Sequence, residues 1–145
     1  YADASKARVF AGIQLSRGKE EKEQIIRSLE ERGYLVEDMT ENEVAKLHTR
    51  YMVGGHPGAG VDNELLYRFQ FPEKPGALLA FLNEIGRRWN ISLFHYRNHG
   101  ADYGRILMGI QVDQAEHREF QKFLDQLQFA YWDETENSAY QLFLK

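Results

Sequence analysis

The sequence contains no cysteine, which excludes disulfides, thiolate nucleophiles and cysteine-ligated zinc or iron–sulfur centres. It has no excess of basic residues: 18 Lys plus Arg stand against 22 Asp plus Glu, a formal charge of -4, so a nucleic-acid backbone is a poor partner. No window approaches the roughly 20 consecutive apolar residues of a membrane helix. Tyr1 to Lys6 lacks the apolar run of a signal peptide, and a cytoplasmic chain with no membrane partner is expected. Also missing are a Gly-x-Ser-x-Gly elbow, a phosphate loop and a His-Glu-x-x-His pair, so no catalytic residue is expected. What is present is the composition of a soluble globular protein: 145 residues, 43% hydrophobic and 28% charged, enough for one core or two small ones. The chain opens on Tyr1 rather than Met, from which a cut, processed or omitted upstream portion is expected.

An internal repeat organises the rest. Arg8-Val9-Phe10-Ala11-Gly12-Ile13-Gln14 aligns with Arg105-Ile106-Leu107-Met108-Gly109-Ile110-Gln111 at an offset of 97. Asp38-Met39-Thr40-Glu41-Asn42 then aligns with Asp133-Glu134-Thr135-Glu136-Asn137 at an offset of 95, with Leu47 opposite Leu142. Between these anchors both copies carry helical spacing. Ile25, Ile26 and Leu29 share one face in the first; Phe120, Phe123, Leu124 and Leu127 share one in the second.

The second copy has an upstream half that the first lacks. Leu65 to Phe71 alternates Tyr67, Phe69 and Phe71 with Arg68 and Gln70, the period of a half-buried strand, and Pro72 ends it. Pro75-Gly76 opens a helix carrying Leu78, Leu82, Ile85 and Trp89, with Asn90 as its stop. Strands follow at 91–97 and 105–112, a helix at 115–127 and a strand at 129–133, and the apolar run Tyr140 to Leu144 is expected to add a fifth strand. The order βαββαβ predicts an α+β, ferredoxin-like unit with sheet order 4-1-3-2 and both helices on one face. The expected division is an incomplete first copy at 1–53, lacking its first strand, first helix and second strand. A linker at 54–63, rich in glycine with Pro57, and a complete second copy at 64–145 follow. Because the missing first strand would lie between the two surviving ones, the first copy is expected to borrow a strand from its sister copy or from another chain, giving a homo-oligomer.

The segment Phe71-Pro72-Glu73-Lys74-Pro75-Gly76-Ala77-Leu78 carries the most chemistry. A strand that turns straight into a helix leaves first-turn N–H groups without internal partners, and Gly76 permits close approach to the backbone. Free N–H groups and the positive helix end suit a carboxylate, while Leu78 and Leu82 could receive an aliphatic side chain. The same pattern also describes an ordinary Pro-Gly turn with leucines for the core. A metal reading of His95, His99 and Asp102 fails, since residues four apart on a strand stand roughly 13 Å apart.

That segment, together with Trp89-Asn90-Ile91-Ser92-Leu93-Phe94-His95-Tyr96-Arg97-Asn98-His99-Gly100-Ala101-Asp102-Tyr103-Gly104-Arg105, resembles the second regulatory subdomain of biosynthetic threonine dehydratase. His48-Thr49-Arg50-Tyr51-Met52-Val53-Gly54-Gly55 resembles the family's link between subdomains. The resemblance implies ACT-like subdomains that sense isoleucine as inhibitor and valine as activator. The parent would be an enzyme whose catalytic domain, with its pyridoxal phosphate, deaminates threonine and is absent from this sequence. It implies an effector region at Pro75, Gly76, Ala77, Leu78, Leu82, Tyr96 and Arg97, with Arg50 in the linking motif. Adjacent strand residues point to opposite faces, so Tyr96 is expected to touch the effector and Arg97 to couple the subdomains. Two other readings share parts of the pattern: an assembly scaffold that no longer binds effector, and an RNA-binding module with Tyr67, Phe69 and Phe71 as its stacking platform.

Overall fold

The computed structural model describes residues 8–49, 61–98 and 102–145. Helices α1 (Lys19–Glu31) and α2 (Glu43–Leu47) precede the unit β1 (Glu64–Pro72), α3 (Ala77–Arg88), β2 (Asn90–Asn98), β3 (Tyr103–Gln111), α4 (His117–Asp125), β4 (Ala130–Asp133) and α5 (Ser138–Phe143), with a 3-10 turn at Gln114–Glu116 leading into α4. The four strands form one sheet in the order β2-β3-β1-β4, the expected 4-1-3-2 seen from the other edge. All three pairings are antiparallel; Phe69 faces Ile106 on one side and Tyr131 on the other.

Alternation divides the sheet into two faces. Tyr67, Phe69 and Phe71 of β1 join Ile106, Met108 and Ile110 of β3 beneath α3 and α4, whose Phe81, Ile85, Phe120, Phe123 and Leu124 complete the main core. Aromatic rings interlock within it: Phe69 meets Phe81 edge-on at 5.1 Å, and Trp89 meets Phe120 at 5.0 Å. On the opposite face Leu66 and Leu107 pack with Val44 and Ala45 of α2 and with Ala139, Tyr140 and Leu144 from the α5 region.

Two expectations change here. The apolar run at Tyr140 to Leu144 falls in and just after helix α5, not in a fifth strand. Asn137 caps that helix, its side-chain oxygen accepting from the Ala139 N–H at 2.9 Å, and Tyr140 and Leu144 then share one face at i, i+4 spacing. Residues 8–14 and 34–38, counterparts of β3 and β4, form no strand among the described residues. A strand needs a neighbour to bond its N–H and C=O groups, and none of the described strands lies beside them. Helix α1 does form, with the Glu21 carboxylate accepting from the N–H groups of Ser16 and Arg17 at 2.9 and 2.8 Å, yet it has no buried residue.

The offset of 95 survives in atomic detail. Thr40 N–H donates to the Asp38 carboxylate at 3.0 Å and Thr135 N–H to that of Asp133 at 2.9 Å. Asn42 caps α2 through the Ala45 N–H at 3.0 Å, as Asn137 caps α5, and the Asn42 Nδ2 donates to Asn137 Oδ1 at 2.9 Å.

Candidate functional site

The turn between β1 and α3 is built from its own backbone. Glu73 N–H donates to the Asp102 carbonyl at 2.9 Å, Lys74 N–H to that of Pro72 at 2.9 Å, and Ala77 N–H to that of Lys74 at 3.2 Å. Gly76 caps the helix at φ +80°, the left-handed region that a side chain resists. The first intrahelical bond runs from Ala80 N–H to the Gly76 carbonyl at 3.0 Å. This leaves the Leu78 and Leu79 amides without a backbone acceptor among the described residues, the polarity that receives a carboxylate. The Ala77 amide, by contrast, is already engaged.

β2 reaches the same turn through Tyr96. That residue lies opposite Ile106, on the α3 side of the sheet, and its hydroxyl donates to the Glu73 carboxylate. The contact with Glu73 is the main reason that the Tyr96 phenol is pushed above its ordinary range. Gly104 makes room for this crossing: a Cβ there would stand 2.5 Å from the Glu73 carboxylate and 2.6 Å from the Tyr96 ring. Tyr96 is 38% exposed and thus not a core aromatic. Leu78 and Leu82 are half-buried at the edge of the main core.

Arg97 lies on the other face, directly opposite Arg105, and shares that face with His95. Pro75, Gly76, Ala77, Leu78, Leu82 and Tyr96 therefore gather on one side of the sheet while Arg97 looks away from them. Arg50 lies outside the described residues, as do 54–60 of the linker. Two open depressions in the surface lie along Gly86 to Ile91 and along α1.

Glu73 and Gly104 were not among the residues expected at the site. Gly104 had a signal, since glycine within a strand pattern marks a close approach. Glu73 had none beyond its position in the turn. Tyr67, Phe69 and Phe71 are buried beneath α3 and α4 and offer no stacking platform, which removes the physical basis for the RNA-binding reading. No group of three or more His, Asp or Glu residues able to hold a metal occurs among the described residues.

Topology defines a class: an α+β unit with a four-stranded antiparallel sheet, consistent with an ACT-like fold. Comparison with known proteins is specific. The C-terminal regulatory domain of threonine dehydratase matches residues 56–144. Over 99% of the chain it is 51% identical to the biosynthetic L-threonine dehydratase IlvA of Escherichia coli K12 and 44% identical to the mitochondrial threonine dehydratase of Saccharomyces cerevisiae. It is 44% identical over 86% of the chain to the biosynthetic chloroplastic threonine dehydratase 1 of Solanum lycopersicum. The chain spans 28%, 25% and 20% of those relatives' lengths. This chain belongs to the threonine dehydratase regulatory-domain family. It is a regulatory part, and the catalytic part of its relatives lies outside the residues it matches.

Proposed function

We propose that this chain senses branched aliphatic amino acids for a threonine dehydratase, with isoleucine as inhibitor and valine as activator. The carboxylate sits at the amides of Leu78 and Leu79, beside Pro75, Gly76 and Ala77, and the aliphatic side chain lies along Leu78 and Leu82. Tyr96 closes the site. Arg97, on the opposite face, and Arg50, in the linking motif, pass the bound state onward. The observation that carries this reading is the bond from the Tyr96 hydroxyl to Glu73, which ties the middle of β2 to the turn that opens α3. An effector regulates by binding one state of the enzyme more tightly than the other, and a strand joined to a helix start is a part that two states can hold differently.

The division into an incomplete copy at 1–53, a linker at 54–63 and a complete copy at 64–145 belongs to the same proposal. So does a homo-oligomer formed by strand exchange, supported by residues 8–14, whose Val9 is 82% exposed with none of the described strands beside it. Among the described residues no lysine suits pyridoxal phosphate: every described lysine is at least partly exposed, and the least exposed of them, Lys22, is held by Asp38 at 2.8 Å. The cofactor and the deamination of threonine belong to the catalytic part. No helix among the described residues is long and apolar enough to cross a membrane; we assign the chain to the cytoplasm, or to the organelle lumen in lineages like those of the mitochondrial and chloroplastic relatives.

A second reading, a scaffold that assembles subunits without binding effector, draws on the exposed apolar residues Val9 and Ile13. Calorimetric titration of isoleucine and valine, with leucine and threonine as controls, separates the two. Selective saturable binding is expected, weakened about two- to tenfold in Tyr96→Phe, the effect of one hydrogen bond. A folded chain that binds neither amino acid establishes the scaffold reading instead.

A further inference from the structure

Two histidines outside the proposed effector site meet across the sheet. His48 ends α2 and is fully buried; His95 lies on β2, on the face that α2 covers. Their Nδ1 atoms are 2.7 Å apart and their rings cross edge to face, with centroids at 5.0 Å. Two nitrogens at that distance need one proton between them, so one ring donates and the other accepts. A further proton puts an imidazolium into a site where His48 has no contact with solvent, and another leaves two donors facing each other with like charge.

Burial, with Arg97 on the same face, makes that protonation costly, and the other charged groups nearby are largely paired. On β2, Arg97 follows His95 on the same face. β3 opposes His95 with Leu107, and the next residue on that face is Arg105. β1 contributes Arg68, held by Glu134 at 3.4 Å, and Glu64, whose carboxylate accepts from Ser92 of β2 and from Tyr140 of α5. On α2, Glu43 and Lys46 pair with each other at 3.5 Å. Burial, and then the Arg97 guanidinium, hold His95 below the usual histidine range.

We propose that the His48–His95 contact is a proton-sensitive latch, which holds the end of α2 against β2 while the rings share one proton and releases it as the pair gains charge. This goes beyond the effector reading and does not depend on it. The direction follows from linkage. A histidine whose folded-state value lies below its ordinary 6.5 adds stability that is complete above that value and is lost as pH falls.

The test is a histidine NMR titration of the whole chain together with amide hydrogen exchange, corrected for intrinsic rates, between about pH 7.5 and 5. The expected result is that the His95 ring titrates below the ordinary 6.5. Protection of the α2 amides should fall about tenfold over the same range while β1 and β3 keep theirs. In His95→Phe, which keeps a ring but cannot titrate, α2 protection should no longer change with pH. Ordinary titration of His95 with unchanged α2 protection overturns the latch. So does a His95→Phe chain that loses α2 protection with acid as the wild type does. Should that variant fail to fold, the wild-type titration and exchange alone decide.

Discussion

Residues 8–14 and 105–111 share Arg, Gly, Ile and Gln at matching places, yet they meet opposite fates. In the second, Ile106, Met108 and Ile110 are fully buried and the strand bonds to a neighbour on both sides; in the first, Val9 and Ile13 are 82% and 59% exposed and none of the described strands lies beside the backbone. The Arg8 guanidinium, which donates to the Leu142 carbonyl at 3.1 Å, and the Phe10 ring, 5.6 Å from that of Phe143, are the ties described for that segment. A strand pattern states a capacity to pair. Burial and stability come from the partners, because an extended segment has no hydrogen bonds of its own.

The sharpest way to break this comparison is to truncate the matched isoleucines. Ile110→Ala is expected to destabilise the chain by about 2–5 kcal/mol, the range for a fully buried isoleucine, whereas Ile13→Ala is expected to stay within about 0.5 kcal/mol. Urea unfolding measures both, and equal losses would mean that residues 8–14 are packed in solution. The capping asparagines come next. Asn42→Ala and Asn137→Ala should each cost about 1 kcal/mol. Since the two side chains bond to each other, the double variant should depart from additivity by about 0.5 kcal/mol or more. Additive losses would show that the copies are capped independently.

The smallest effect concerns the tie between α1 and the turn at Asp38. Lys22, 2.8 Å away, together with Thr40, draws the Asp38 carboxyl down to about 2 from an ordinary 3.8. A lowered acid contributes stability above its ordinary value and loses it as pH falls. Protection of the α1 amides, corrected for intrinsic exchange rates, should therefore fall as pH drops from 3.8 through about 2, and Asp38→Asn should remove that dependence. An unchanged dependence in Asp38→Asn would place the acid sensitivity elsewhere.

Much of the unit from 64 onward was legible because its elements follow single periods. β1 runs one residue past its expected limits at each end, and the sheet order follows from βαββαβ with its crossings. The expected fifth strand is a helix for a local reason. Tyr140, Phe143 and Leu144 form a short apolar run that alternation and i, i+3, i+4 spacing fit about equally, and the Asn137 cap decides for helix. At the candidate site, alternation alone put Tyr96 and Arg97 on opposite faces, as found. The bond between Tyr96 and Glu73 and the meeting of His48 with His95 join residues 23 and 47 apart, and no local period encodes such pairs.

The amino-acid sequence by itself determined the periodicities, the caps, the turn at Pro72 to Gly76 and the repeat, since each depends on residues within a few positions or on like matched with like. Only the tertiary structure decided which strand pattern became a strand, which helix was buried, and which side chains met across the sheet. Those outcomes depend on hydrogen-bond partners and apolar surfaces that lie far apart along the chain.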